Sequence, residues 1–126
     1  MFGPSTTSAA PAPGYRALLD ELRCRESDSL VAEREALLRE QRRLRLRELA
    51  IVRVLDERKV VDDSFAARDG VSLRHLHRTR ATAKALEGLP HLAAAAGEGR
   101  LSDAQLDAAS RLADAESDAE WARRAP

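Results

Sequence analysis

The sequence has no asparagine, a single cysteine, six glycines and only four aromatic side chains, Phe2, Tyr15, Phe65 and Trp121. Each shortage excludes something. One cysteine, Cys24, forms no intrachain disulfide, and a lone thiol suits a reducing cytosol. So few aromatics, with no long Val/Ile/Thr alternation, argue against a β-sandwich. No apolar run approaches the ~20 residues that cross a bilayer. The opening stretch GPSTTSAAPAPG has neither a basic start nor an apolar centre, so it does not read as an export signal. Lys plus Arg and Asp plus Glu balance at 21 each, which removes the overall electrostatic footprint of a nucleic-acid or acidic-membrane binder. The expected setting is cytoplasmic, without a membrane partner.

What is present is leucine, alanine and charge. Hydrophobic residues make up 44% of the 126, enough for the core of one small domain, and Leu and Ala are strong helix formers. The sequence predicts an all-α fold: a small bundle of one long helix with several short helices, including a helix-turn-helix-like hairpin. Residues 1–13, rich in Pro, Ala, Ser and Thr, are expected to be a disordered tail, and 14–126 the helical domain. Between Gly14 and Asp28, Tyr15, Leu18, Leu19 and Leu22 fall on one face of a short helix. The long helix is expected from Ser29 to Arg58. There Leu30, Leu37, Leu44 and Ile51 recur every seven residues, and Leu38, Leu49, Val52 and Leu55 widen that line into a core-facing stripe. The arginines between 39 and 47 read as a solvated face with Arg/Glu pairs. A coiled-coil dimer is the sharper alternative, opposed by the polar Arg34, Gln41 and Glu48 at the intervening heptad positions.

The segment 65–90, FAARDGVSLRHLHRTRATAKALEGLP, has the spacing of a helix-turn-helix. Small Ala66 lets two helices approach, Gly70 takes the positive φ of the turn, and Leu76 packs the second helix onto the first. Asp62 or Asp63 is expected to cap the short helix and Ser72 the longer one, which stops at Gly88 before Pro90. Leu73, Leu76, Thr79, Ala83 and Leu86 share its inner side. Residues 71–84 carry no acid. Arg74, His75 and Arg78 occupy the exposed early turns, where such a helix meets bases, and Arg80 and Lys84 are placed to meet phosphate. A structural helical hairpin is the bland alternative. Beyond it come a helical turn at Leu92–Ala96 and a Gly97–Gly99 break. Two capping boxes follow, Ser102-x-x-Gln105 with a Leu101/Leu106 staple, and Ser117-x-x-Glu120. The second opens a helix with Trp121 that the sequence abandons at Pro126, so the domain reads as truncated there and the indole as exposed.

No chemistry assembles from the remaining polar residues. His75 and His77 are two apart on a helix and point away from each other, His91 follows Pro90 in a presumed loop, and Cys24 is remote, so no zinc site is expected. Ser72 and Ser102 are explained as caps, and Gly97-Glu98-Gly99 lacks the strand and helix of a phosphate loop. The chain is expected to be no enzyme and to use no cofactor, metal or small-molecule substrate.

Four segments carry a resemblance: AEREALL at 32–38, the helix start at Gly70–Ser72, ALEGLP at 85–90 and GRLSDAQLDAASRLAD at 99–114. From about Leu30 onward the pattern resembles the N-terminal part of an actinobacterial family catalogued as domain of unknown function 222, also called the 13E12 repeat family. An Ala/Arg-rich composition with little Lys fits such a source. The resemblance implies a protein associated with an HNH endonuclease domain placed further along the chain. That nuclease set requires a structural Asn on a ββα hairpin, and this sequence contains neither, so no nuclease residue carries over. The expected function is therefore a non-catalytic accessory domain that binds DNA through the hairpin. The alternative is a protein-interaction or self-association module built on the long helix, giving a homo-oligomer.

Overall fold

A computed structural model describes residues 14–125, all-α and without strands among the described residues. The expected tail at 1–13 lies outside them. Seven helices follow in order: α1 Tyr15–Arg23, α2 Ser27–Glu57, α3 Ser64–Asp69, α4 Leu73–Leu86, α5 Pro90–Gly97, α6 Asp103–Leu112 and α7 Asp118–Arg124. The sequence reading treats 14–126 as one domain; the structure divides the chain into two compact units, Met1–Glu35 and Ala36–Pro126.

In the first unit α1 is shorter than expected. It ends at Arg23 because residues 24–26 turn before α2 begins. Arg25 bridges that turn to the next helix through Glu33 and the Ser29 side chain. No residue of α1 is buried. Leu19, Leu22 and Leu30 are half-buried, while Tyr15 and Leu18 stay exposed.

The second unit holds the core. Helix α2 runs 31 residues, about 46 Å at 1.5 Å per residue. Within this unit its buried side is Leu49, flanked by half-buried Leu38, Leu46 and Val52. The heptad line is not part of it: Leu37, Leu44 and Ile51 are 54%, 58% and 50% exposed. The expectation of one widened stripe is corrected here. Two apolar lines run along α2, and only one of them is covered. The helix ends in a left-handed residue, Lys59 with φ 60°, which lets the Val60 N–H reach the Leu55 carbonyl at 2.9 Å.

Ala83, Leu86, Leu89, Leu92, Ala95, Ala96, Leu101, Leu106 and Ala109 complete the larger cluster around Leu49. Alanines permit the close approach of α5 to its neighbours. Gly99 is required for space as well as for its φ of 76°, since a Cβ there would lie 2.9 Å from the Arg39 carbonyl oxygen on α2. The Arg42 guanidinium donates to the Gly99 carbonyl at 3.1 Å and locks the same crossing.

The end of the chain departs from expectation in two ways. Ser102 forms its capping box with Gln105, but Ser117 does not cap α7. Its hydroxyl accepts from the Asp114 N–H while the Asp114 carboxylate accepts from the Ser117 and Glu116 N–H groups, a local turn that outcompetes the cap. That turn brings α7 back along α5. Trp121 is half-buried against the larger cluster and lines a groove with Leu101, Gln105 and Ala109, so the expected exposed indole is not found. Arg100 donates to the Ala122 and Ala125 carbonyls at 2.7 and 3.0 Å, satisfying the last turn of α7. Asp118, 1% exposed, accepts the N–H groups of His91 and Leu92, each at 2.8 Å. These are orphan donors at the start of α5, whose own N-cap residue, Leu89, has no side chain to satisfy them. His91 is therefore in the first turn of a helix opened by Pro90, and not in a loop.

Candidate nucleic-acid interface

The hairpin forms as the spacing requires. Gly70 ends α3 with φ 69° and ψ 31°. The Val71 N–H then reaches the Ala66 carbonyl at 2.9 Å, closing the six-to-one loop of a glycine-terminated helix. Nothing crowds Gly70, so it is needed for its backbone angle alone. Ala66 and Leu76 are both buried and share a small cluster with Val61, backed by Leu55, Phe65 and Val71. Ser72 accepts the His75 N–H at 3.0 Å and caps α4. The Asp62 carboxylate accepts the backbone and side-chain donors of Ser64 at the start of α3. Those bonds hold its carboxyl below the usual range, the hydroxyl contributing most.

The five basic residues expected to contact nucleic acid fall into three places. Arg74 and Lys84 are exposed on the outward face of α4, with no carboxylate within 4.0 Å among the described residues. Arg80 turns inward: its guanidinium bonds Asp56 of α2 at 2.6 Å, with both side chains mostly covered. It ties α4 to α2 and is not free to meet phosphate. Arg78 and His75 lie on the other flank, lining a cavity of about 270 Å³ together with Arg45, Asp103, Asp107 and Arg111. Arg78 approaches Asp107 at 3.9 Å, Arg111 reaches the same carboxylate at 3.1 Å, and Arg45 meets Asp103 at 3.1 Å. The cations of this cavity are thus already matched by acids.

One residue was missed. His77 lies between Arg74 and Lys84 on the outward face, because positions 74, 77, 81 and 84 follow the three- and four-residue steps of one helix side. Its Nε2 lies 3.2 Å from Asp63 Oδ1, linking α4 to the start of α3. The three- and four-residue spacing from Arg74 is the signal that places His77 on that face. Exposed Leu73 opens the same face, Ala81 sits in its middle, and no acid occurs in the first turn, leaving the partial positive charge of the helix start uncompensated.

Among the described residues no group of three His, Cys, Asp or Glu side chains is placed to hold a metal ion, and no helix is long and apolar enough to cross a membrane. Cys24 is exposed, its thiol donating to the Asp20 carbonyl at 3.4 Å. Compared with known proteins, the chain matches no family model, no curated protein and no solved structure.

Proposed function

We propose that the α3–α4 hairpin is a duplex-DNA-binding module and that the chain is a non-catalytic accessory domain. In this reading α4 enters the major groove, Leu73 and Arg74 approach base edges, and Lys84 meets phosphate. One observation carries the reading: the outward face of α4 exposes Arg74 and Lys84, neither within 4.0 Å of a carboxylate among the described residues, on a helix fixed by a left-handed glycine turn and a serine cap. The resemblance of segments 32–38, 70–72, 85–90 and 99–114 to domain of unknown function 222 supports the same reading, since that family accompanies HNH nucleases.

The test is anisotropy of a labelled duplex across a salt series. Arg74→Ala and Lys84→Ala are each expected to weaken binding and to lower the salt slope by about one unit. Arg80→Ala is expected to lower thermal stability and to leave that slope unchanged. Binding and slope unaltered in the Arg74/Lys84 double variant would refute the reading. A second reading, association of copies through α2, is favoured by the exposure of Leu37, Leu44 and Ile51.

A further inference from the structure

Building on that second reading, we propose that two copies of the chain pair antiparallel along α2, about a two-fold axis near Arg43–Leu44, with Glu40 of each copy meeting Arg47 of the other. The seam is the uncovered line Leu37, Leu44 and Ile51. A strict seven-residue step suits another helix, because two helices that supercoil keep such a line facing a partner of the same period. A flat or irregular surface has no use for it.

The flanking charges choose the partner and its direction. Gln41 and Glu48 stand three residues before Leu44 and Ile51, and Glu40 and Arg47 stand three residues after Leu37 and Leu44. A parallel pair in register sets Glu48 against its own copy inside the seam, which like-charge repulsion opposes. Reversing one helix removes that clash, places Gln41 beside Leu44 of the other copy, and brings Glu40 opposite Arg47 twice by symmetry. The surface is therefore complementary to itself in one orientation only. Both charges are available. Arg47 has no carboxylate within 4.0 Å among the described residues, and Glu40 holds only Arg43, at 3.4 Å between half-exposed side chains, an ion pair readily exchanged in water.

Sedimentation equilibrium from micromolar to millimolar concentration tests the association itself. The full chain is expected to shift from the monomer mass toward twice that mass, and Leu44→Asp to stay monomeric with unchanged helicity. A monomer throughout would overturn both the association and its orientation, leaving the seam to a partner of different sequence. Given a dimer, Glu40→Arg or Arg47→Glu alone is expected to weaken it several-fold, and an equimolar mixture of the two to associate more tightly than either. In a Cys24→Ser background, Leu37→Cys mixed with Glu48→Cys is expected to cross-link, and Leu37→Cys alone is not. Self-cross-linking through position 37, or charge variants without effect, would overturn the antiparallel arrangement while the association stood.

Discussion

The larger cluster draws its buried residues from α2, α4, α5, α6 and the links between them, whereas the smaller one, beneath the hairpin, rests on Val61, Ala66 and Leu76. Both lie in the same unit, and α4 belongs to both: Leu76 points into the small cluster, Ala83 and Leu86 into the large one. The end of α4 that carries Arg74 therefore stands on little buried apolar surface. It is held instead by polar ties, the Ser72 cap, the Asp63–His77 contact and the Arg80–Asp56 pair. A segment with few buried apolar contacts can open locally while the other end of the same helix remains fixed.

The sharpest way to break this comparison is a cavity in each cluster. Leu92, fully buried, is expected to cost about 2–5 kcal/mol as Leu92→Ala and to lower the thermal midpoint of the whole unit. Leu76→Ala is expected near the bottom of that range, about 2 kcal/mol, and to act locally, raising amide exchange over residues 61–80 while α5 and α6 keep their protection. Uniform loss of protection in Leu76→Ala would show that the two clusters open as one.

A smaller effect separates the two ways a helix start is satisfied. Asp118→Ala strips two N–H groups of their acceptor in a buried place and is expected to cost about 1–3 kcal/mol. Ser72→Ala removes one exposed cap and is expected to cost about 1 kcal/mol. Equal losses in chemical denaturation would refute the distinction.

The smallest effect is with acid. The Asp62 carboxyl is held below its ordinary value of 3.8 by Ser64, and that of Asp114 by the backbone and then the hydroxyl of Ser117. In each case the folded value lies below the unfolded one. The stabilisation is therefore complete well above pH 3.8 and is lost as the pH falls through the lower folded values. Both groups are exposed, so the change is slight. Carboxyl NMR titration should move Asp62 toward its ordinary value in Ser64→Ala, and Asp114 only in smaller part in Ser117→Ala, because the backbone N–H donors remain; values unmoved by those changes would remove the hydroxyls as a cause.

The contrast also explains what could be read from the sequence. Ser72, Gly70 and the Ser102–Gln105 box were legible because each acts on residues at most four or five positions away. Ser117 carried the same local signal and failed, since Asp114, three residues earlier, offered its hydroxyl a competing turn. The capping by Asp118 left no trace in the local sequence, because its donors are 26 and 27 residues distant. Along α2 the period was right but the phase was not: leucines occupy two lines, and periodicity alone does not say which one a neighbour covers. Of the basic residues on α4, spacing placed Arg74 and Arg78 outside and Arg80 and Lys84 at the boundary, and Arg74, Arg78 and Lys84 are exposed. It gave no warning that Asp56, 24 residues before Arg80, would claim that side chain.

The distance between Asp118 and the helix it caps sets an order of events during synthesis. A chain emerging from the ribosome exposes His91 and Leu92 while Asp118 is still 27 and 26 residues from being joined. Over that interval only water answers the first amides of α5. The start of α5 gains its acceptor only once that carboxylate has been made, which couples the opening of this helix to a residue 26 positions beyond Leu92.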